Sequence, residues 1–152
     1  MSRDTRNVVA DIDALPTADG DDLGRLQELI DEYFASPAAA GHIDVWFRLY
    51  ERFPDEHGQG VFWNILHGLE AQSGCDAAVV ASVRRRATHY PVMMVNRMLN
   101  ANIRTAAGAD LLGLLRQVAA DEGAAAGVRE DAERFLEHQR GRAEPPDAMD
   151  SR

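Results

Sequence analysis

Residues 45–53, VWFRLYERF, and 61–70, VFWNILHGLE, hold six of the chain's ten aromatic residues: Trp46, Phe47, Tyr50, Phe53, Phe62 and Trp63. Their apolar positions recur every three or four residues, the spacing that lines one face of a helix. Val45, Trp46, Leu49 and Phe53 share such a face in the first segment. The second is apolar around most of its circumference, through Val61, Phe62, Trp63, Ile65, Leu66 and Leu69. A helix hydrophobic on most sides belongs inside a domain, so this segment is expected at the centre, with Trp63 in the core. The loop PDEHGQG between them is too polar and glycine-rich to bury.

The same periodicity extends outward to about seven helices, over approximately 21–35, 42–53, 60–71, 76–89, 91–101, 109–121 and 127–139. Asp21 or Asp22 suits the first N-cap and Asp76 the fourth. Ser36-Pro37 stops the first helix, Arg84, Arg85 and Arg86 load the last turn of the fourth, and Pro91 opens the fifth. No run alternates with period two. The expectation is an all-α domain over 21–140, preceded by a flexible segment 1–20 and followed by a disordered tail 141–152. Six of the helices group as pairs (42–71, 76–101, 109–139) whose starts lie roughly 33–34 residues apart, a spacing like that of short α-solenoids. A HEAT- or armadillo-like solenoid and an irregular helical bundle both fit.

Composition narrows the chemistry. With 152 residues, one cysteine (Cys75) and no strongly apolar run near the ~20 residues of a membrane span, a single reduced, cytoplasmic domain is expected. The N-terminal stretch, polar and acidic, matches neither a signal nor a transit peptide. The formal charge is -9, all 16 basic residues are arginine, and residues 1–40 carry nine acids against three arginines. A negative field of this kind repels nucleic acid and anionic lipid and speeds association with a basic protein.

Candidate site residues lie in four places. Trp63, His67 and Glu70, at i, i+4 and i+7, form one stripe, which reads either as a core edge, as a contact site, or as a general base (His67) oriented by Glu70. No nucleophile or second acid lies nearby in sequence, and one His-x-x-Glu is too little for zinc, which takes three or four ligands. No catalytic residue, cofactor or metal is therefore expected. Asn96 and Asn100, poor residues inside a helix, flank Arg97 and read as ties to the next loop or as amides offered to a partner. Asp44, Glu51, Asp55 and Glu56 complete an acidic set on or between the aromatic helices. The arginine triplet reads better as a solvated face than as a phosphate site.

WFRLYERFP, GVFWNILHGLE, SVRRR and YPVMMVNRMLN together resemble a group of small α-helical immunity proteins that accompany bacterial polymorphic or contact-dependent toxins. The resemblance spans about residues 43–104 and rests mainly on packing residues. It implies a cytoplasmic, non-enzymatic antidote that binds one toxin domain, often a basic nuclease, through an acidic surface. The alternatives are a solenoid adaptor for a housekeeping partner and a small enzyme built on His67 and Glu70.

Overall fold

The computed structural model describes residues 3–18, 20–54 and 60–143. Among them are eight α-helices: α1 (Thr5–Asp13), α2 (Leu23–Phe34), α3 (Asp44–Arg52), α4 (Val61–Glu70), α5 (Cys75–Arg85), α6 (His89–Asn100), α7 (Leu111–Ala120) and α8 (Ala126–Ala143). The only strands described, β1 (Thr105–Ala106) and β2 (Ala109–Asp110), pair antiparallel between α6 and α7. Ala107 and Gly108 both take positive φ (49° and 76°), as a type I′ hairpin turn demands. The protein is all-α. No described helix is long and apolar enough to cross a membrane.

Seven expected helices are present within a few residues of their predicted bounds, and an eighth was missed. Within the expected flexible segment, the described residues 3–18 are not a loose arm: α1 buries Thr5, Val8 and Ile12 against α2 and α3, and Leu15 and Ala18 follow into the core. Three apolar residues in nine make a weak periodic signal. A local cap and tertiary contacts fix this helix: Asp4 accepts from the Arg6 amide, and Arg3 clamps Asp11 and Glu32 together. Within the expected tail, residues 141–143 complete α8, and the remainder lies outside the described residues. Asp76 sits in the first turn of α5, whose N-cap is Gly74.

The hub is α6 rather than α4. It packs against α3, α4, α5, α7 and α8, and buries Tyr90, Val92, Met94, Val95, Met98 and Leu99. The pairs α5–α6 and α7–α8 form as the spacing predicted, whereas α4 lies against α2 and α6. That approach to α2 is close, since a Cβ at Gly68 would stand 2.7 Å from the Phe34 ring. Phe34 in turn stacks on Trp46 (5.6 Å, 13°), and Tyr33 meets the same indole edge-on (5.3 Å, 88°).

Asn96, expected to offer its amide to a partner or to tie the helix, is buried and bonded within the chain. Its side-chain oxygen accepts from Gln139 of α8 at 2.7 Å, and the same amide reaches Asn100 at 2.9 Å. His138 lies 3.2 Å from the Asn100 oxygen. The two asparagines therefore tie α6 to a helix about forty residues away, not to the next loop.

Trp46 is fully buried and Trp63 is 39 % exposed, so the core burden falls on the first tryptophan. Trp46→Ala is expected to cost roughly 3–5 kcal/mol and Trp63→Ala less than about 1 kcal/mol, both read from chemical denaturation. Equal losses would contradict this placement.

The Arg3 clamp sets a pH signature. Hydrogen bonds and charge from Arg3 hold the Asp11 and Glu32 carboxyls below their ordinary values of 3.8 and 4.5. Because the folded values are depressed, the clamp stabilises above the ordinary values and is lost as pH falls through the lowered ones. In Arg3→Ala, NMR titration should place both carboxyls nearer 3.8 and 4.5. The gap in thermal midpoint between wild type and variant should shrink on acidification below that range.

Candidate functional site

α4 divides its surface cleanly. Val61, Phe62, Ile65, Leu66 and Leu69 point inward, which leaves Trp63, Asn64, His67 and Glu70 on the outer face. Trp63 is the one large hydrophobic exposed among the described residues. Its indole lies 5.9 Å from the His67 ring at a 30° tilt, and meets buried Tyr90 edge-on at 5.9 Å. Tyr90 is itself fixed by stacking on Tyr50 (5.2 Å, 10°) and by an edge contact with Phe62 (5.5 Å). Trp63 thus stands on a rigid aromatic base rather than on a flexible loop.

One turn later, Arg97 of α6 grips Glu70 with two parallel bonds, Nε to Oε2 at 2.7 Å and Nη2 to Oε1 at 2.8 Å. Such a fork fixes both side chains. Glu70 raises the Arg97 pKa, chiefly through that hydrogen bond. The pair forms one wall of a cleft of about 690 Å³ that runs between the α4–α5 turn, α6 and the hairpin. Val79, Met94, Met98 and Ile103 contribute its apolar lining, and Asp76 and Thr105 add polar groups. Methionines suit a surface that adapts to its ligand. Cys75, also in the lining, is buried, and desolvation pushes its thiol up to about 12, so it is no nucleophile at neutral pH.

The structure sets His67 against Trp63 and, further along the same face of α4, pairs Glu70 with Arg97; it scatters the other expected contact residues. Glu51 is committed inward: its carboxylate takes the Ser82 hydroxyl at 2.6 Å and a fork from Arg85. Asn100 is bonded to Gln139. Asp44 is exposed in the first turn of α3, where a carboxylate favours the helix dipole. Asp55 and Glu56 lie outside the described residues. Both Glu70 oxygens accept from Arg97. Among the described residues, no group of three or more His, Cys, Asp or Glu is placed to hold a metal ion.

Sequence reading missed that Trp63 lies on the outer face with His67 and Glu70. The signal was present, because Trp63 shares its face with His67 and Glu70, while Phe62, Ile65, Leu66 and Leu69 alone complete an inward face. No family model, curated protein or solved structure matches this chain.

Collisional quenching should separate the two tryptophans. Acrylamide is expected to reach the Trp63 emission and to spare that of Trp46. In Trp63→Phe the quenchable component should disappear, and a Stern–Volmer slope unchanged by that substitution would place Trp63 inside.

Proposed function

We propose that this chain is a non-enzymatic binding protein, an immunity protein that neutralises a cognate bacterial toxin domain by seating it on the Trp63 face. The observation that carries the reading is a tryptophan held half out of the core on an aromatic base, on the same outer face of α4 that presents Glu70, fixed by Arg97. Tryptophan, tyrosine and arginine dominate interface hot spots, where a rigid anchor loses little entropy on binding. Charge supports a basic partner: the chain carries -9, and a field of that sign raises the rate at which a cationic domain arrives. The packing motifs that resemble immunity proteins point the same way. Within this reading, the acidic surface steers and the Trp63 face holds.

The test begins with the gene immediately upstream. If it encodes a secreted toxin, its C-terminal domain should arrest growth when expressed alone and fail to do so when this chain is co-expressed. Trp63→Ala should weaken the complex by about 2–4 kcal/mol, the range of an interface hot spot, while leaving the thermal midpoint almost unchanged. Association should also slow as salt screens the acidic surface. A Trp63→Ala protein that neutralises as well as wild type would remove this face from the proposal. A metabolic operon in place of the toxin gene would favour the adaptor reading.

A further inference from the structure

The hairpin after α6 leaves one backbone edge open. Ala106 and Ala109 flank its two-residue turn, and Thr105 opposes Asp110. In such a hairpin the residues flanking the turn exchange hydrogen bonds, and pairs then alternate between non-bonded and bonded. The Leu111 amide, donating to the Arg104 carbonyl at 3.0 Å, marks the next bonded pair. Thr105 falls between the two, so its N–H and C=O point away from β2. Neither has a partner among the described residues.

That edge borders the cleft of about 690 Å³ beyond the Glu70–Arg97 fork. Thr105, Ala106 and Ala107 line the cleft, while their cross-strand partners Ala109 and Asp110 do not. Residues paired across two strands share a sheet face, so a cleft lying over the face would touch both strands. It meets the hairpin at the edge of β1, the strand that packs against α5. Val79, Met94 and Met98 are buried beneath it.

Three charged residues line the cleft. Glu70 and Arg97 neutralise each other in their fork. Asp76, exposed in the first turn of α5, makes no ion pair among the described residues. Arg104 adjoins the lining without belonging to it, and Arg142 is spent on the Leu99 and Asn100 carbonyls at the end of α6. The C-terminus of α4 and the N-terminus of α5, which meet here, offset each other. Besides desolvation, the larger cause, the charges that raise the Cys75 thiol are those of Asp76 and Glu70. The field on the cleft floor is therefore negative.

We infer that the cleft binds an extended, basic segment of a protein partner. The segment adds as a strand to the edge of β1, seats one long apolar side chain on Val79, Met94 and Met98, and places a cation against Asp76. Strand addition draws affinity from main-chain bonds and selectivity from the pockets beneath alternate side chains. A helix could not use the Thr105 groups, because its own amides and carbonyls are paired internally. The chain's own residues 144–152 carry three acids against one arginine, the wrong sign for Asp76. The site depends on reading this chain as a binding protein, but not on the Trp63 face.

Fluorescence anisotropy on the intact chain tests the cleft with labelled, end-blocked pentapeptides. The probe Thr-Lys-Met-Lys-Thr should bind, one molecule per chain. Replacing its methionine by serine should weaken binding about tenfold, the loss of one buried apolar side chain. Replacing its lysines by glutamate should weaken it by at least about threefold, as should Asp76→Asn with the lysine probe. Thr105→Pro removes an outward N–H and no bond of the hairpin. Its thermal midpoint should hold while binding falls about fivefold, the equivalent of one hydrogen bond. In the wild-type complex the Thr105 amide should exchange its hydrogen more slowly, which decides the matter even if the proline variant folds poorly. Trp63→Ala should bind the probe like wild type, so this site stands or falls apart from the Trp63 face. No binding at millimolar probe, equal binding of the serine or glutamate peptide, or an unprotected Thr105 amide in the complex would overturn the inference. So would a peptide of residues 144–152 that binds more tightly than the lysine probe, since the occupant would then be the chain's own end.

Discussion

Tyr50 joins three helices in one contact. Its hydroxyl donates to the Phe62 carbonyl at 3.0 Å, its ring stacks on Tyr90 at 5.2 Å, and its neighbour Phe47 meets it edge-on at 6.2 Å. The bond satisfies a polar group that is otherwise costly to bury, and it sets the start of α4 against the end of α3. Stacking on Tyr90 then fixes the N-terminal turn of α6. With α3, α4 and α6 placed, the rest of the bundle has surfaces to pack on, and Trp63 has a floor. Burial also lifts the Tyr50 hydroxyl well above the ordinary tyrosine value, so it stays a donor across the physiological range.

Arginine does much of the remaining joining. Three helix C-termini receive a guanidinium from elsewhere in the chain: Arg52 on the end of α1, Arg86 on the end of α3, and Arg142 on the Leu99 and Asn100 carbonyls of α6. A cation at that end complements both the orphan carbonyls and the dipole. Lysine presents a single ammonium on a flexible stem and lacks the planar fork. The acids expected to face a partner are partly spent in the same work, Glu51 on Arg85 and Glu70 on Arg97. The electrostatic part of the functional reading therefore rests on the overall field more than on those individual carboxylates.

Legibility differed by element. Seven of the eight helices lie within period-3.6 segments flanked by proline, glycine or polar breaks, and these could be read directly. α1 could not, because its periodic signal is weak and Val8 and Ile12 find their packing partners on α2 and α3, well along the chain. Asn96 and Asn100 stood out in the sequence as helix-interior asparagines with fixed tasks, but nothing local names Gln139 as their partner. For the site, the His67–Glu70 stripe was visible, and its link to Arg97 was not, since that pairing exists only after α4 and α6 cross.

By itself, the sequence determined that this protein is all-α, where most of its helices begin and end, and that aromatic residues form the nucleus. Those properties follow from periodicity, breakers and caps, which act within a few residues. The tertiary structure decided which tryptophan is core. Trp63 sits in the more apolar of the two helices and yet is the exposed one, because α2 brings Tyr33 and Phe34 against Trp46 while Trp63 shares the outer face of α4 with His67 and Glu70. It also decided which charges remain available, because an ion pair depends on distance in space and not along the chain. Helix formation is local, while burial and charge pairing are properties of the whole packed molecule.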